Sequence, residues 1–276
     1  MDVIAPGRRR EAAARHAIAL VAAVLFLAPL VLLVLGSLRP VGPAAPAREL
    51  IPARPTLENY GRVLDVVELG RHAWNSTLVA AVAVPMSVAV AAAGGFAMSR
   101  LPPVPRRVLV AGSLVAAMVP LSMLLVGRFT LFRTLGLTDS YIPLVATALI
   151  GGSPFNVLLF YLAFRRMPAE LFDAARLEGA SAVRLLVDVG LPGARNVAVA
   201  VAVLVFAASW GNVLEPLVYL SDESLHTLPL GLRALASLDL PRQPLMLAGA
   251  VAAVAVPVGF LLVAQRALRR DDPGPL

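Results

Sequence analysis

Apolar residues fill six stretches of this chain, at about Ala17–Gly36, Trp74–Met98, Val108–Val126, Ile142–Phe164, Val197–Leu220 and Leu245–Ala264. A bilayer core takes about 20 apolar residues in helical form, because backbone polar groups in hydrocarbon must be satisfied within the segment. The pattern therefore predicts an all-α polytopic membrane protein with six transmembrane helices. Pro29, Pro85, Pro120, Pro143 and Pro257 fall inside these runs. In water they would break helices, but in a membrane bundle neighbouring groups re-satisfy the freed backbone. Gly151-Gly-Ser-Pro154 interrupts the fourth run.

Composition agrees. The 276 residues are 59% hydrophobic and 15% charged, with a mean hydropathy of +0.81, against about 25% charged in soluble domains. Cysteine is absent, which excludes disulfides, thiolate metal sites and cysteine nucleophiles. His16, His72 and His226 lie far apart, so no metal site is expected. All 24 basic residues are Arg, which we read, with the Ala and Val excess, as the codon usage of a GC-rich genome. A net charge of +7 and a pI near 11.0 also suit a nucleic-acid binder. Here, however, the arginines cluster at the ends of apolar runs, where a membrane protein needs them, and no nucleic acid partner is expected.

Their placement also orients the chain. With the N-terminus inside, fifteen arginines (8, 9, 10, 15, 100, 106, 107, 165, 166, 176, 184, 195, 266, 269 and 270) are cytoplasmic and nine are not. Five of the nine share one long loop with Glu49, Glu58, Asp65 and Glu68. The bias places both termini in the cytoplasm. Residues 1–16 then form a cytoplasmic segment, 17–270 the membrane domain and 271–276 a cytoplasmic tail. Arg8–Arg10 followed by an apolar run also suits a secretory signal, but Ala17–Gly36 exceeds a signal core of about 7–15 residues. An uncleaved first helix is the expectation. The Pro-rich loop Arg39–Ala73 is too short to bury a core of its own. Asn75-Ser76-Thr77 matches a glycosylation acceptor, though its place at a helix mouth makes coincidence the simpler explanation.

One polar insert, residues 165–195, separates the fourth and fifth runs on the Arg-rich side. Pro168 suits a first helical position, and Glu170 and Asp173 complement the helix dipole. Leu171, Ala174, Ala175 and Leu177 supply a small apolar surface. Gly179 is placed to stop this helix in a left-handed conformation, Ser181 to cap a second one, and Pro192 to end it. Small residues at Ala174, Ala175, Gly179 and Ala180 let another backbone approach closely. Docking of a soluble partner explains such an element. An amphipathic helix resting on lipid is the alternative, opposed by Glu170, Asp173, Glu178 and Asp188, which anionic headgroups repel.

Asp173-Ala174-Ala175, Gly179, Val189, Leu191 and Pro192 resemble the EAA loop of ABC importer permeases. That pattern is Glu-Ala-Ala, three residues, Gly, nine residues, then Ile-any-Leu-Pro. Further stretches resemble the carbohydrate (maltose-type) branch: Pro55-Thr-Leu-Glu-Asn-Tyr60, Asn75-Ser76, Leu135-Gly-Leu137, Glu178-Gly-Ala-Ser181, Ser209-Trp210-Gly-Asn212, Thr227-Leu-Pro-Leu-Gly231 and Gln265-Arg266. The resemblance covers about Pro55 to Arg270. It departs where Gly211 separates Trp210 from Asn212, and where the tail Asp271–Leu276 lacks a Gly-rich Lys-Gly ending.

The resemblance implies a type I importer permease in the bacterial cytoplasmic membrane, moving a sugar or sugar-derived solute. Its partners are a second permease subunit, giving a heterodimer, two ATP-binding subunits and an extracytoplasmic solute-binding protein. Glu170, Asp173, Ala174, Ala175, Glu178, Gly179, Leu191 and Pro192 are the implied ATPase-coupling residues. The outer loop Ser221–Gln243 is implied to reach toward the binding protein. The chain has no Lys and therefore no phosphate-binding Gly-Lys-Ser/Thr loop. Accordingly it is expected to be no enzyme, with no catalytic residue and no bound cofactor, ATP and Mg being used by the partner.

Polar groups inside membrane runs mark candidate solute pathways: Asn212 and Glu215, about a turn apart, with Trp210 nearby and Asn156 in the fourth run. Against this, Trp210 can pack on the sister subunit and Glu215 can lie at the outer boundary. The same architecture carrying glycerol phosphate, a polyamine or an inorganic anion is the alternative. A proton- or sodium-coupled transporter is a further one, with only Glu215 to support it. A plain membrane anchor would need no polar groups along the fifth run.

Overall fold

The computed structural model describes residues 6–42, 51–66, 68–150, 152–236 and 243–269. Among these there is no strand. The helices in chain order are α1 (Pro6–Ser37), α2 (Glu58–Val66), α3 (Leu69–Arg100), α4 (Pro103–Met118), α5 (Leu125–Thr134), α6 (Ile142–Val145), α7 (Pro154–Arg166), α8 (Ala169–Leu177) and α9 (Ala182–Gly193). They continue with α10 (Arg195–Trp210), α11 (Leu214–Tyr219), α12 (Leu228–Ala236) and α13 (Gln243–Arg269). Four helical segments are long and apolar enough to cross a membrane, or up to six when each of two bent pairs counts as one span. α1 leaves Ile18, Leu25 and Phe26 about three-quarters exposed, a surface compatible with lipid and not with water. The expected tail, the outer-loop residues 237–242, and Arg48, Gly151 and Arg242 lie outside the described residues.

The breaks differ from the apolar runs. The third run is not one helix: it splits at Val119-Pro120, and the segments on either side meet at 78°. Val119 is extended (φ −79, ψ 116), as the steric demand of a following proline requires. The fourth run stops after a 3-10 turn at Ile150 and restarts at Pro154, capped by Ser153, whose hydroxyl accepts from the Phe155 N–H at 3.1 Å. The fifth run ends at Trp210; Gly211 closes α10, and α11 follows after Asn212 and Val213.

Packing divides the chain into two units, Met1–Leu69 with Leu232–Val254, and Gly70–Gly231 with Ala255–Leu276. In the first, the Pro55–Tyr60 motif clamps the end of α1. Asn59 Nδ2 donates to the carbonyls of Ser37 (2.7 Å) and Arg39 (2.6 Å), Tyr60 shares a 2.7 Å hydrogen bond with Ser37, and the Thr56 N–H reaches the Leu38 carbonyl at 2.8 Å. These bonds satisfy the carbonyls that a helix C-terminus leaves open.

In the second unit, α3 and α7 touch through backbone. A Cβ placed on Gly95 would lie 2.6 Å from Phe160 Cβ and 2.7 Å from the Tyr161 nitrogen. This close approach brings Ala91, Ala92, Phe96, Phe160 and Phe164 into one core that also takes in Phe172, Leu185 and Val201. A second cluster, around Val79, Leu144, Tyr219 and Leu220, joins α3, α6 and α11.

Candidate functional site

Two places in the second unit carry chemistry. The first is the polar insert, which folds as an elbow. α8 starts one residue later than expected, with Pro168 as its N-cap (φ −56, ψ 133). It ends as anticipated. Gly179 has φ +83, its N–H donates to the Arg176 carbonyl at 2.9 Å, and the Ala180 N–H donates to the Ala175 carbonyl at 3.0 Å. These two bonds are the paired closure that a left-handed glycine permits at a helix C-terminus. Ser181 then caps α9, its hydroxyl accepting from Arg184 N–H at 3.4 Å.

Pro192 does not end α9. The helical segment runs to Gly193 and turns 85° into α10 at Ala194. Proline has no N–H to give and its ring crowds the carbonyl of Asp188. The preceding turn widens instead, into a π-helical stretch at Leu185–Gly190.

The elbow is bound to α3 and α7 by aromatic packing. Phe172 is fully buried, 5.8 Å from the Phe96 ring. Phe96 in turn meets Phe164 edge-on at 5.5 Å. The Arg100 guanidinium lies over the Phe172 ring at 3.6 Å, a cation–π distance. Of the expected coupling residues, Glu170, Asp173, Ala174, Glu178, Gly179 and Pro192 are exposed, whereas Ala175 and Leu191 pack partly against this core. Asp173 pairs with Arg176 at 3.0 Å, both at least half exposed, so the pair adds little stability. Of the expected apolar surface, Leu171, Ala174 and Leu177 are exposed and Ala175 is partly buried. Leu171 and Leu177 point outward, at 53% and 91% exposure, together with Val183, and the inward anchor is Phe172. The residue pattern held that signal, since Phe172 is the one aromatic in α8 and Phe96 and Arg100 stand four apart on one face of α3.

The second place is a cavity of about 410 Å³, walled by α3, α7, α10, α11 and the turn at Gly152. Gly152 adopts φ +74, and a Cβ there would sit 3.0 Å from Ser87 Oγ and 3.2 Å from Asn156 Nδ2; only glycine lets this turn close over the cavity. Asn156, Asn212 and Glu215 all line it, as do Ser76, Ser87, Thr147, Ser209 and Thr227. Trp210 does not. It stacks at 5.4 Å on Phe206, which stacks at 4.1 Å on Phe260, and it belongs to the packing of α10.

Asn212 and Glu215 are not on one continuous helix, as the apolar run suggested. Asn212 occupies the break and caps the next helix: its Oδ1 accepts from the Glu215 N–H at 3.2 Å while its Nδ2 donates to Glu215 Oε2 at 3.0 Å. The other Glu215 oxygen is held by Arg128 from α5, and Arg128 also donates to the Pro143 carbonyl at 3.1 Å. Arg128 escaped the sequence reading because it stood in an outer loop by charge counting. The Asn75-Ser76 motif is structural. Asn75 Nδ2 donates to the carbonyls of Ser224 and His226, both at 2.9 Å, and Ser76 Oγ accepts from the Leu228 N–H at 2.8 Å, fixing the loop that precedes α12.

Membrane-length apolar helices, a cavity among α3, α7, α10 and α11 and an elbow exposed outside the core suit a membrane transport component. The chain belongs to the family of binding-protein-dependent transport system inner membrane components, which it matches over residues 77–271. It is 26% identical over 229 residues to the diacetylchitobiose uptake system permease protein NgcG of Streptomyces coelicolor, covering 83% of this chain and 76% of that one. It is 29% identical over 247 residues to the arabinooligosaccharides transport system permease protein AraQ of Halalkalibacterium halodurans, covering 85% of each. In fold it is similar to a chain of a bacterial ABC transporter that imports the acidic polysaccharide alginate, with a TM-score of 0.78 at 20% identity, covering 96% of this chain and 99% of that one.

Proposed function

We propose that this chain is the permease subunit of an ATP-driven importer in the bacterial cytoplasmic membrane. It forms one part of the pathway for a sugar or sugar-derived solute, with both termini in the cytoplasm. A separate ATPase drives it through the elbow α8–α9, alongside a second permease subunit and an extracytoplasmic solute-binding protein. The observation that carries this reading is the elbow's build: an exposed acidic and small-residue outer face on a segment whose inner face is locked by Phe172 to α3 and α7. Movement imposed on α8 is thereby passed to helices that wall the cavity. Relatives named for diacetylchitobiose and arabinooligosaccharide uptake support a saccharide over an anion or polyamine. The fifteen-to-nine arginine bias supports the orientation.

Gly179→Asp tests the coupling role. No atom lies within 4 Å of a Cβ at Gly179, so the change meets no neighbour; it adds a charge at the elbow tip and about 1–2 kcal/mol of left-handed strain. Insertion is expected to persist while ATPase association or uptake is lost, with Gly179→Ala as the control for strain alone. Normal uptake by Gly179→Asp in a reconstituted system refutes the role.

A further inference from the structure

Four arginines gather at one end of a packed helix pair, α4 and α7. Arg100, the last residue of α3, stands over Phe172 of α8 at 3.6 Å, so α3 ends at the root of the elbow. α4 begins three residues after Arg100, and α7 ends three residues before α8. Arg106 and Arg107 near the start of α4 therefore lie at the same end of the pair as Arg165 and Arg166 in the last turn of α7. Arg107, Arg165 and Arg166 are exposed and Arg106 is half-buried. None of the four guanidinium groups makes an ion pair or a hydrogen bond among the described residues, and Asp173 on the elbow is taken by Arg176. Beyond the arginines both helices stay apolar and uncovered. Leu114, Val115 and Met118 share a face of α4 with Arg107, and Phe155 and Leu162 share a face of α7 with Arg166; these five apolar residues are 50–83% exposed. The charge-placement rule puts arginines on the cytoplasmic side. It does not require four unpaired ones on a single pair of helices, two of them closing exposed apolar stripes.

We infer that this end of the α4–α7 pair is a binding site for an anionic phospholipid, its phosphate held among the four arginines and its acyl chains laid along the stripes. A guanidinium offers phosphate oxygens charge-assisted hydrogen bonds in a fork, and basic pockets between membrane helices on the cytoplasmic side suit acidic headgroups. The stripes decide between a lipid and an acidic protein surface, since only a lipid has hydrocarbon chains to place on them. The elbow favours the same choice. Its outer face carries Glu170, Asp173, Glu178 and Asp188, all exposed, so a motor surface that receives it is basic by complementarity and is repelled by the arginines. The inference rests on the reading of these helices as membrane-spanning, and adds to it a lipid as a bound component of the subunit.

The test places the complete importer, this chain with its partner permease and ATPase subunits, in lipid nanodiscs. This chain has no cysteine; with the partner subunits also freed of cysteine, Val115→Cys on the α4 stripe carries a single bimane fluorophore. Brominated phosphatidylglycerol and brominated phosphatidylcholine quench it according to which lipid occupies the stripe. Phosphatidylglycerol is expected to be preferred. Arg107→Gln with Arg166→Gln is expected to cut that preference about ten- to twentyfold, at roughly fivefold per arginine less screening by salt. Arg184→Gln with Arg266→Gln removes the same charge elsewhere on the cytoplasmic side and is expected to change it by under about twofold. Arg107→Lys with Arg166→Lys keeps the charge and is expected to keep most of the preference, which separates charge from misfolding. Equal quenching by the two lipids with all arginines in place, or equal losses in the two Gln pairs, overturns the site. So does loss of ATPase subunits from the Arg107→Gln, Arg166→Gln complex with its lipid preference intact, which makes the patch a protein contact. ATP hydrolysis stimulated by the solute-binding protein is read in parallel. Where it persists while the quenching results fail, only the lipid site falls; where it is absent from the unaltered complex while selective quenching holds, the importer reading falls and the lipid site stands.

Discussion

Removing the Phe172 ring is the most direct way to ask whether the elbow is a rigid lever. Phe172 is 0% exposed, lies against Phe96, and carries the Arg100 guanidinium 3.6 Å above its face. Truncating a fully buried Phe to Ala costs about 3–5 kcal/mol, and loss of the guanidinium contact about 0.5–2 kcal/mol more. At 1.4 kcal/mol per power of ten, packing alone shifts the docked-to-undocked ratio of α8 by roughly two to three and a half powers of ten. The expectation is therefore a complex that assembles but transmits poorly: binding-protein-stimulated ATP hydrolysis falls toward its basal rate and vesicle uptake falls with it. Because the chain contains no cysteine, Leu177→Cys, at a 91% exposed position, provides a single spin-label site on α8. The label's mobility should rise in Phe172→Ala. Phe172→Leu retains apolar volume but lacks the ring face, and should fall between the two. Wild-type uptake and unchanged label mobility in Phe172→Ala would refute the lever.

Other substitutions probe the remaining parts. Gly95→Val cannot be accommodated, since even its Cβ lies 2.6–2.8 Å from Phe160, Tyr161 and Val157 atoms; we expect loss of folded protein, read as failed complex assembly in detergent. Trp210→Ala removes a buried ring from the Phe206 stack and should lower thermal stability by several kcal/mol, while saccharide affinity of the surviving complex stays unchanged; a large affinity loss would return Trp210 to the pathway. In intact spheroplasts Leu177→Cys should be shielded from an impermeant thiol reagent and react in inverted vesicles. Labelling from outside would reverse the orientation and remove the elbow from any cytoplasmic motor.

The six apolar runs, the Gly179 stop and the Ser181 cap could be read from residue order because each rests on neighbours within a turn or on the length of hydrocarbon to be crossed. The breaks were harder. Val119-Pro120, Gly211-Asn212 and Pro192 look alike as helix-weakening residues, yet one bends the chain by 78°, one ends a helix, and one widens a turn without stopping it. Each is closed by a different local backbone bond, Val119 N–H to Ala116, Gly211 N–H to Ala207 and Leu191 N–H to Leu186, a choice the residue types alone do not make. Phe172 was overlooked because the sequence reading took the apolar surface of this insert from Leu171, Ala174, Ala175 and Leu177, and only the position of α3 shows that Phe172 is the buried anchor.

Chain order by itself determined that this protein lives in lipid, that it has no thiol or lysine chemistry, and that one acidic, glycine-punctuated elbow stands outside the membrane runs, because these follow from composition, run length and local capping. Only tertiary structure decided that Arg128 neutralises Glu215 from 87 residues away. It alone buried the Ser87 and Thr227 hydroxyls without a hydrogen-bond partner and assigned Trp210 to packing. Pairings across such separations depend on which helices touch, and the backbone approach at Gly95 that sets those contacts leaves no mark in hydropathy.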